Sequence, residues 1–123
     1  MDDESPSEPF EPMRDFEGVL QIFPGRARGA FEIEGKWYML AWSYDPSPPS
    51  ISDAVVKVTL KCHGTHELKG TPTMDGSILM DGAIGPQKVR MWGSPGIFIE
   101  GDLPHPLPEK TPVVGAANWV EQD

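Results

Sequence analysis

The chain has 123 residues, 38% of them hydrophobic, and a formal net charge of −9; glycine (13) and proline (14) together fill more than one position in five. That length supports one domain with one core, and that density of breakers excludes long helices and favours short strands joined by turns. No run of about 18 apolar residues is present to span a membrane as a helix, no basic start leads into an apolar stretch as in a signal peptide, and the single cysteine, Cys62, excludes an internal disulfide. The composition reads as a soluble protein of a reducing compartment, cytoplasmic or carried in a virion if the source is viral.

Charge is unevenly placed. Residues 1–17 hold seven acidic side chains against Arg14 alone, a net of −6, while the remaining 106 carry twelve acids and nine bases, a net of −3. "MDDESPSEPFEPMRDF" opens the chain with acids and prolines and few core-forming side chains. Residues 1–15 therefore read as an acidic, proline-rich N-terminal arm ahead of a β domain at 16–102.

In that domain "FEGVLQIF" (16–23), "RGAFEIE" (28–34) and "KWYMLAWSY" (36–44) read as three strands of a meander, turning at Pro24-Gly25 and at Glu34-Gly35-Lys36. "DPSPPS" (45–50) is a stiff linker that carries the chain to another sheet or across a barrel. "AVVKVTLKC" (54–62) is the clearest strand, with Val56, Val58, Leu60 and Cys62 on one face and Lys57, Thr59 and Lys61 on the other. "HELK" (66–69), "GSILMD" (76–81), "KVRMWG" (88–93) and "GIFIEG" (96–101) follow, separated by glycine and proline turns. Turn signals roughly every 8 to 12 residues predict an all-β fold, a small antiparallel sandwich or barrel of about 7–8 short strands. From Leu103, "LPHPLPEKTP" alternates proline with other residues, so 103–123 reads as an extended C-terminal arm whose apolar end, "VVGAANWVEQD", docks on something.

Three kinds of chemistry come into question. Cys62, His63, His66 and His105 are the only cluster of zinc-type ligands, but Cys62 and His63 are adjacent on a strand and point to opposite faces, so Cys62 reads as a core residue and no metal is expected. Asp75, Asp81, Glu100 and Asp102 stand beside glycines as turn residues, and Ser43, Ser77 and Ser94 lack a nucleophile elbow; no enzyme and no cofactor are expected. Trp37, Tyr38, Trp42 and Tyr44 beside Lys57, Lys61, Lys69, Lys88 and Arg90 fit the base-stacking pattern of nucleic-acid barrels, but an acidic chain gains little from counterion release, so nucleic acid is disfavoured. Two segments, "GTPTMDGSILMDG" (70–82) and "GSPGIFIEGD" (93–102), resemble the proline-turn, strand and glycine units of PAAR-type spike-tip proteins. The resemblance covers about a third of the chain and implies a β-rich architecture.

"WYMLAW" (37–42) is apolar on both faces, Trp37, Met39 and Ala41 on one and Tyr38, Leu40 and Trp42 on the other, whereas a strand of a small antiparallel body normally shows one face to water. A covering partner or arm is implied. The arms themselves carry too little apolar surface to settle on their own body and would take their order from a neighbour. The sequence therefore predicts a non-catalytic structural or assembly protein, with a phage-like particle as one setting, whose partners are protein subunits of its own or another kind. Its predicted interface is Phe10, Met13, Phe16, Trp37, Tyr38, Trp42, Tyr44 and Trp119. The alternatives are an acidic inhibitor or immunity-type protein that binds a basic partner, and a small metal- or nucleic-acid-binding barrel.

Overall fold

The computed structural model describes residues 13–47, 53–65, 68, 78–93 and 96–122. Period-two alternation of buried and exposed side chains runs along eight antiparallel strands: β1 (Arg14–Phe23), β2 (Arg26–Ile33), β3 (Lys36–Asp45), β4 (Ala54–Cys62), β5 (Ile78–Ile84), β6 (Lys88–Gly93), β7 (Ile97–Asp102) and β8 (Thr111–Gln122). They close into a barrel in the order β1-β2-β3-β8-β5-β6-β7-β4, which decides between the two architectures left open by the sequence.

The order contains one unit twice. Strands β1 to β4 lie as 4-1-2-3 and strands β5 to β8 as 8-5-6-7, each a Greek key in which three hairpin-linked strands are followed by a fourth that returns beside the first. In both keys the long return connection is the proline-dense stretch, holding Pro46, Pro48 and Pro49 in one and Pro104, Pro106 and Pro108 in the other. The keys join where β4 pairs with β7 and β8 with β3. Local turns follow their chemistry: Glu34 (φ 55°) and Gly35 (φ 84°) are both left-handed, as the two-residue turn between β2 and β3 requires.

The barrel is filled. Leu20, Ile22, Phe31, Ile33, Leu40, Trp42, Leu60, Cys62, Met80, Ile84, Met91 and Ile99 are all within 2% of complete burial, and Phe16, Tyr38 and Trp119 pack against them. Trp42 lies against Tyr44 (centroids 4.9 Å apart) and Phe31 against Trp119 (5.6 Å). Each such side chain contributes about 1.5–3 kcal/mol by leaving water, the main force set against chain entropy.

Two segments differ from expectation. Residues 103–122 are not an arm awaiting a neighbour. Leu103 and Leu107 donate backbone hydrogen bonds to Gln87 (2.8 Å) and Pro86 (2.7 Å), and Thr111–Gln122 enters the sheet as β8. The order of this segment comes from its own barrel: Val113, Gly115, Ala117 and Trp119 turn inward, and the small Gly115 and Ala117 leave room for Tyr44 and Trp42, their partners on the neighbouring strand. "HELK" forms no strand among its described residues; Leu68 sits in a short 3₁₀ turn with its side chain in the core.

Tyr44 ties the β1–β2 turn to β3. Its hydroxyl donates to the Phe23 carbonyl (2.5 Å) and its backbone N–H to the Gly25 carbonyl (3.0 Å). Burial raises the phenol pKa above its usual 10.0, and hydrogen bonds with the Gly25 backbone and the Ser47 side chain pull partly against that rise. The unfolded phenol thus ionises first, so the contribution of Tyr44 to stability is complete below pH 10 and is lost as the pH climbs through the folded-state value. Tyr44→Phe is expected to cost about 1 kcal/mol at neutral pH and to flatten the loss of stability above pH 10, as measured by denaturant melts at a series of pH values.

Candidate interaction surface

Side chains occupy the interior, and the candidate surface is the barrel's outer wall. There the register lines up the outward residues of neighbouring strands in rows. The central row of the β4-β1-β2-β3-β8 wall runs Lys57, Val19, Ala30, Met39, Val120. The row above it holds Thr59 and Glu17, then Glu32, Trp37 and Gln122; the row below holds Val55, Gln21, Arg28, Ala41 and Asn118. Four consecutive strands thus carry an apolar band, with Val19 44%, Val120 55% and Trp37 49% exposed. A shallow groove of about 550 Å³ lies at the β4–β1–β2 end of it, lined by Val19, Ala30, Trp37, Glu17, Lys57 and Thr59.

The opposite wall is different. Leu79, Val114 and Trp92 are exposed there, but Asp81 stands between Val114 and Trp92 in the register. A second depression, of about 290 Å³, lies beside Trp92 with Lys88, Arg90 and Lys110 on its rim. Two of those cations are engaged: Lys88 pairs with Asp102 (3.0 Å) and Arg90 with Glu100 (2.8 Å). On the adjoining β4–β7 wall, Lys57 and Lys61 share a depression with Asp15, Glu100 and Asp102. Of the cations that suggest a nucleic-acid groove in the sequence, Lys57, Lys61, Lys88 and Arg90 are therefore interleaved with carboxylates and form no basic stripe among the described residues, and Lys69 lies outside them.

The residues expected at an interface are distributed unevenly. Trp37 is exposed on the apolar band, and Met13 is exposed at the start of β1. Tyr38 is half-buried, its hydroxyl bonded to Glu121 (3.3 Å). Phe16 and Trp119 are half-buried against the core, and Phe16 carries the Arg14 guanidinium over its ring at 4.9 Å. Trp42 and Tyr44 are 1% and 4% exposed, so in the closed barrel they are core side chains and reach no partner. Phe10 lies outside the described residues. Of the two faces of "WYMLAW", one is thus covered by the barrel's own interior, and the other, Trp37-Met39-Ala41, faces outward. Val19, Ala30 and Val120 join that second face through strand pairing; their only sequence signal is an apolar residue at an outward position.

Of the zinc-type ligands, Cys62 is buried in the core and His105 is exposed between β7 and β8, while His66 lies outside the described residues. No group of three or more His, Cys, Asp or Glu side chains suited to a metal occurs among the described residues. No helix among them is long and apolar enough to cross a membrane. The chain matches no protein-family model, and comparison with curated proteins and with solved structures finds no match.

Proposed function

We propose that this chain is a non-catalytic protein-binding module, a structural part of a larger assembly, and that it meets its protein neighbours through the outer face of β1, β2, β3 and β8. One observation carries the reading: Val19, Ala30, Met39 and Val120 align across four strands beside a half-exposed Trp37. A contiguous apolar band of this kind on the outside of a filled barrel has an energetic reason to be covered, and an exposed tryptophan with a flexible methionine beside it is the composition of a protein-contact centre. The interleaved charges of the β4–β7–β6 wall support a protein rather than a phosphate backbone as partner.

The test is a photo-crosslinking amino acid placed at Met39, with Leu79 on the opposite wall as the control, in the chain expressed in its native cell. Discrete protein adducts are expected from position 39. Equal labelling at the two positions, or no adduct at position 39, would sink the reading.

A further inference from the structure

We infer that the β2–β3 outer face binds a second copy of this chain about a two-fold axis lying along the Ala30–Met39 row; the inference rests on the protein-binding reading above and names its partner. In a two-fold interface the same patch meets itself, so the patch must be self-complementary. When two sheet faces pack with the axis along a register row, residues on that row meet their own copies, and a residue one row above meets the residue one row below on the same strand.

The register permits that operation to be carried out residue by residue. On β2, Glu32 lies above Ala30 and Arg28 below it, so each copy's Glu32 meets the other's Arg28. On β3, Trp37 lies above Met39 and Ala41 below, so a large indole meets a methyl-sized position. On the flanks, Glu17 meets Gln21 and Gln122 meets Asn118, pairs that can form hydrogen bonds, while Val19 and Val120 lie on the axial row. Charge, volume and hydrogen bonding agree under one operation across β1, β2, β3 and β8; Lys57, which ends the axial row on β4, would face its own copy and stands two strands away from the centre of contact on β2.

Within one molecule these groups are not engaged with each other. Glu32 and Arg28 are four residues apart on one strand, about 13 Å along it. Both are exposed, and neither forms an ion pair among the described residues. By contrast, the neighbouring charges Arg14 and Glu34 pair at 3.0 Å, and Lys36 and Glu121 at 2.9 Å. The barrel wall is convex, so contact centres on β2 and β3. The small Ala30 at the middle allows close approach, and Met39 adapts to what remains.

The experiment uses the full chain and two charge reversals. Light scattering over a concentration series is expected to show mass rising from 13.5 kDa toward twice that value. R28E and E32R each turn both cross-axis ion pairs into like-charge pairs, and each is expected to weaken self-association at least tenfold while circular dichroism and Tm stay unchanged. Mixed in equal amounts, the two variants restore both attractive pairs, and a heterodimer is expected.

A30C with a short bis-maleimide gives a second readout that does not depend on the reversals. Sheet faces pack about 10 Å apart, so the two axial thiols are bridged, whereas L79C on the far wall stays monomeric. The buried Cys62 is not expected to react. A chain that stays monomeric at every concentration, reversals that leave the dimer intact, or a mixture that fails to associate would each overturn the inference. If the crosslinker at Met39 traps a different protein while the purified chain is monomeric, the inference fails and the protein-binding reading stands. If Met39 traps nothing, the reading itself fails.

Discussion

Removing Thr111–Gln122 is expected to leave a chain that does not fold. β8 is paired on both sides, from Trp37↔Gln122 to Asp45↔Val114 against β3 and from Ile78↔Ala117 to Ile84↔Thr111 against β5. Its loss opens the barrel, strips both neighbours of a hydrogen-bonding partner and exposes the side of the core that Val113, Ala117 and Trp119 close. Several buried side chains at about 1.5–3 kcal/mol each, together with two unpaired edges, exceed the roughly 5–15 kcal/mol by which a domain is stable. The measurement is circular dichroism and amide dispersion of the truncated chain, followed by addition of a synthetic peptide spanning 111–122. Recovery of strand signal on adding the peptide is the expected result. A truncated chain with a cooperative melt near that of the full protein would contradict closure by β8.

The largest effect expected from adding a single carbon is at Gly115. It faces Tyr44 across the β3–β8 pairing, and a Cβ added there would overlap the Ser43 carbonyl oxygen and fall 2.6 Å from the Ser43 carbonyl carbon. Those neighbours are backbone atoms, so no side-chain rotation relieves the clash and the two strands must part. Gly115→Ala is expected to cost at least the upper end of the roughly 1–3 kcal/mol typical of overpacking, and to lower Tm by about 10 °C or more. Gly25→Ala makes the contrast, since no atom lies within 4 Å of the methyl it would add and its cost is confined to a left-handed φ of 79°. Thermal melts of the two variants beside the parent separate the effects. A Gly115→Ala protein as stable as the parent would mean that β8 does not approach β3 this closely.

Why is β8 hidden from sequence reasoning while β4 is plain? From Val56 to Cys62 in β4 each inward position is Val, Leu or Cys and each outward one is Lys or Thr, so alternation announces the strand and its core face. "VVGAANWV" alternates too, but Gly115, Ala116, Ala117 and Asn118 are poor strand formers and both faces are small or apolar. What makes it a strand is tertiary: a narrow inward face is needed opposite Trp42 and Tyr44, and that demand is written in β3 rather than in β8. The prolines before it point to an arm, and they do build an extended connection, but one that leads back into the sheet.

The candidate site is legible in part. The doubly apolar character of "WYMLAW" is real, and the sequence marks Trp37 as a residue at issue, but parity alone does not say which face the barrel will claim. Closure takes Trp42 and Tyr44 into the interior and leaves Trp37, Met39 and Ala41 outside. The rest of the band needs the register, for nothing in a linear reading sets Val19 beside Ala30 or Met39 beside Val120.

The twofold repetition of the Greek key bears on how this molecule comes apart. Neither half can shut on itself: β4 of the first flanks the second, β8 of the second flanks the first, and each covers the other's otherwise bare margin. Melting is therefore concerted, since peeling away either half strands its counterpart as an open, greasy ribbon with nothing left to clasp.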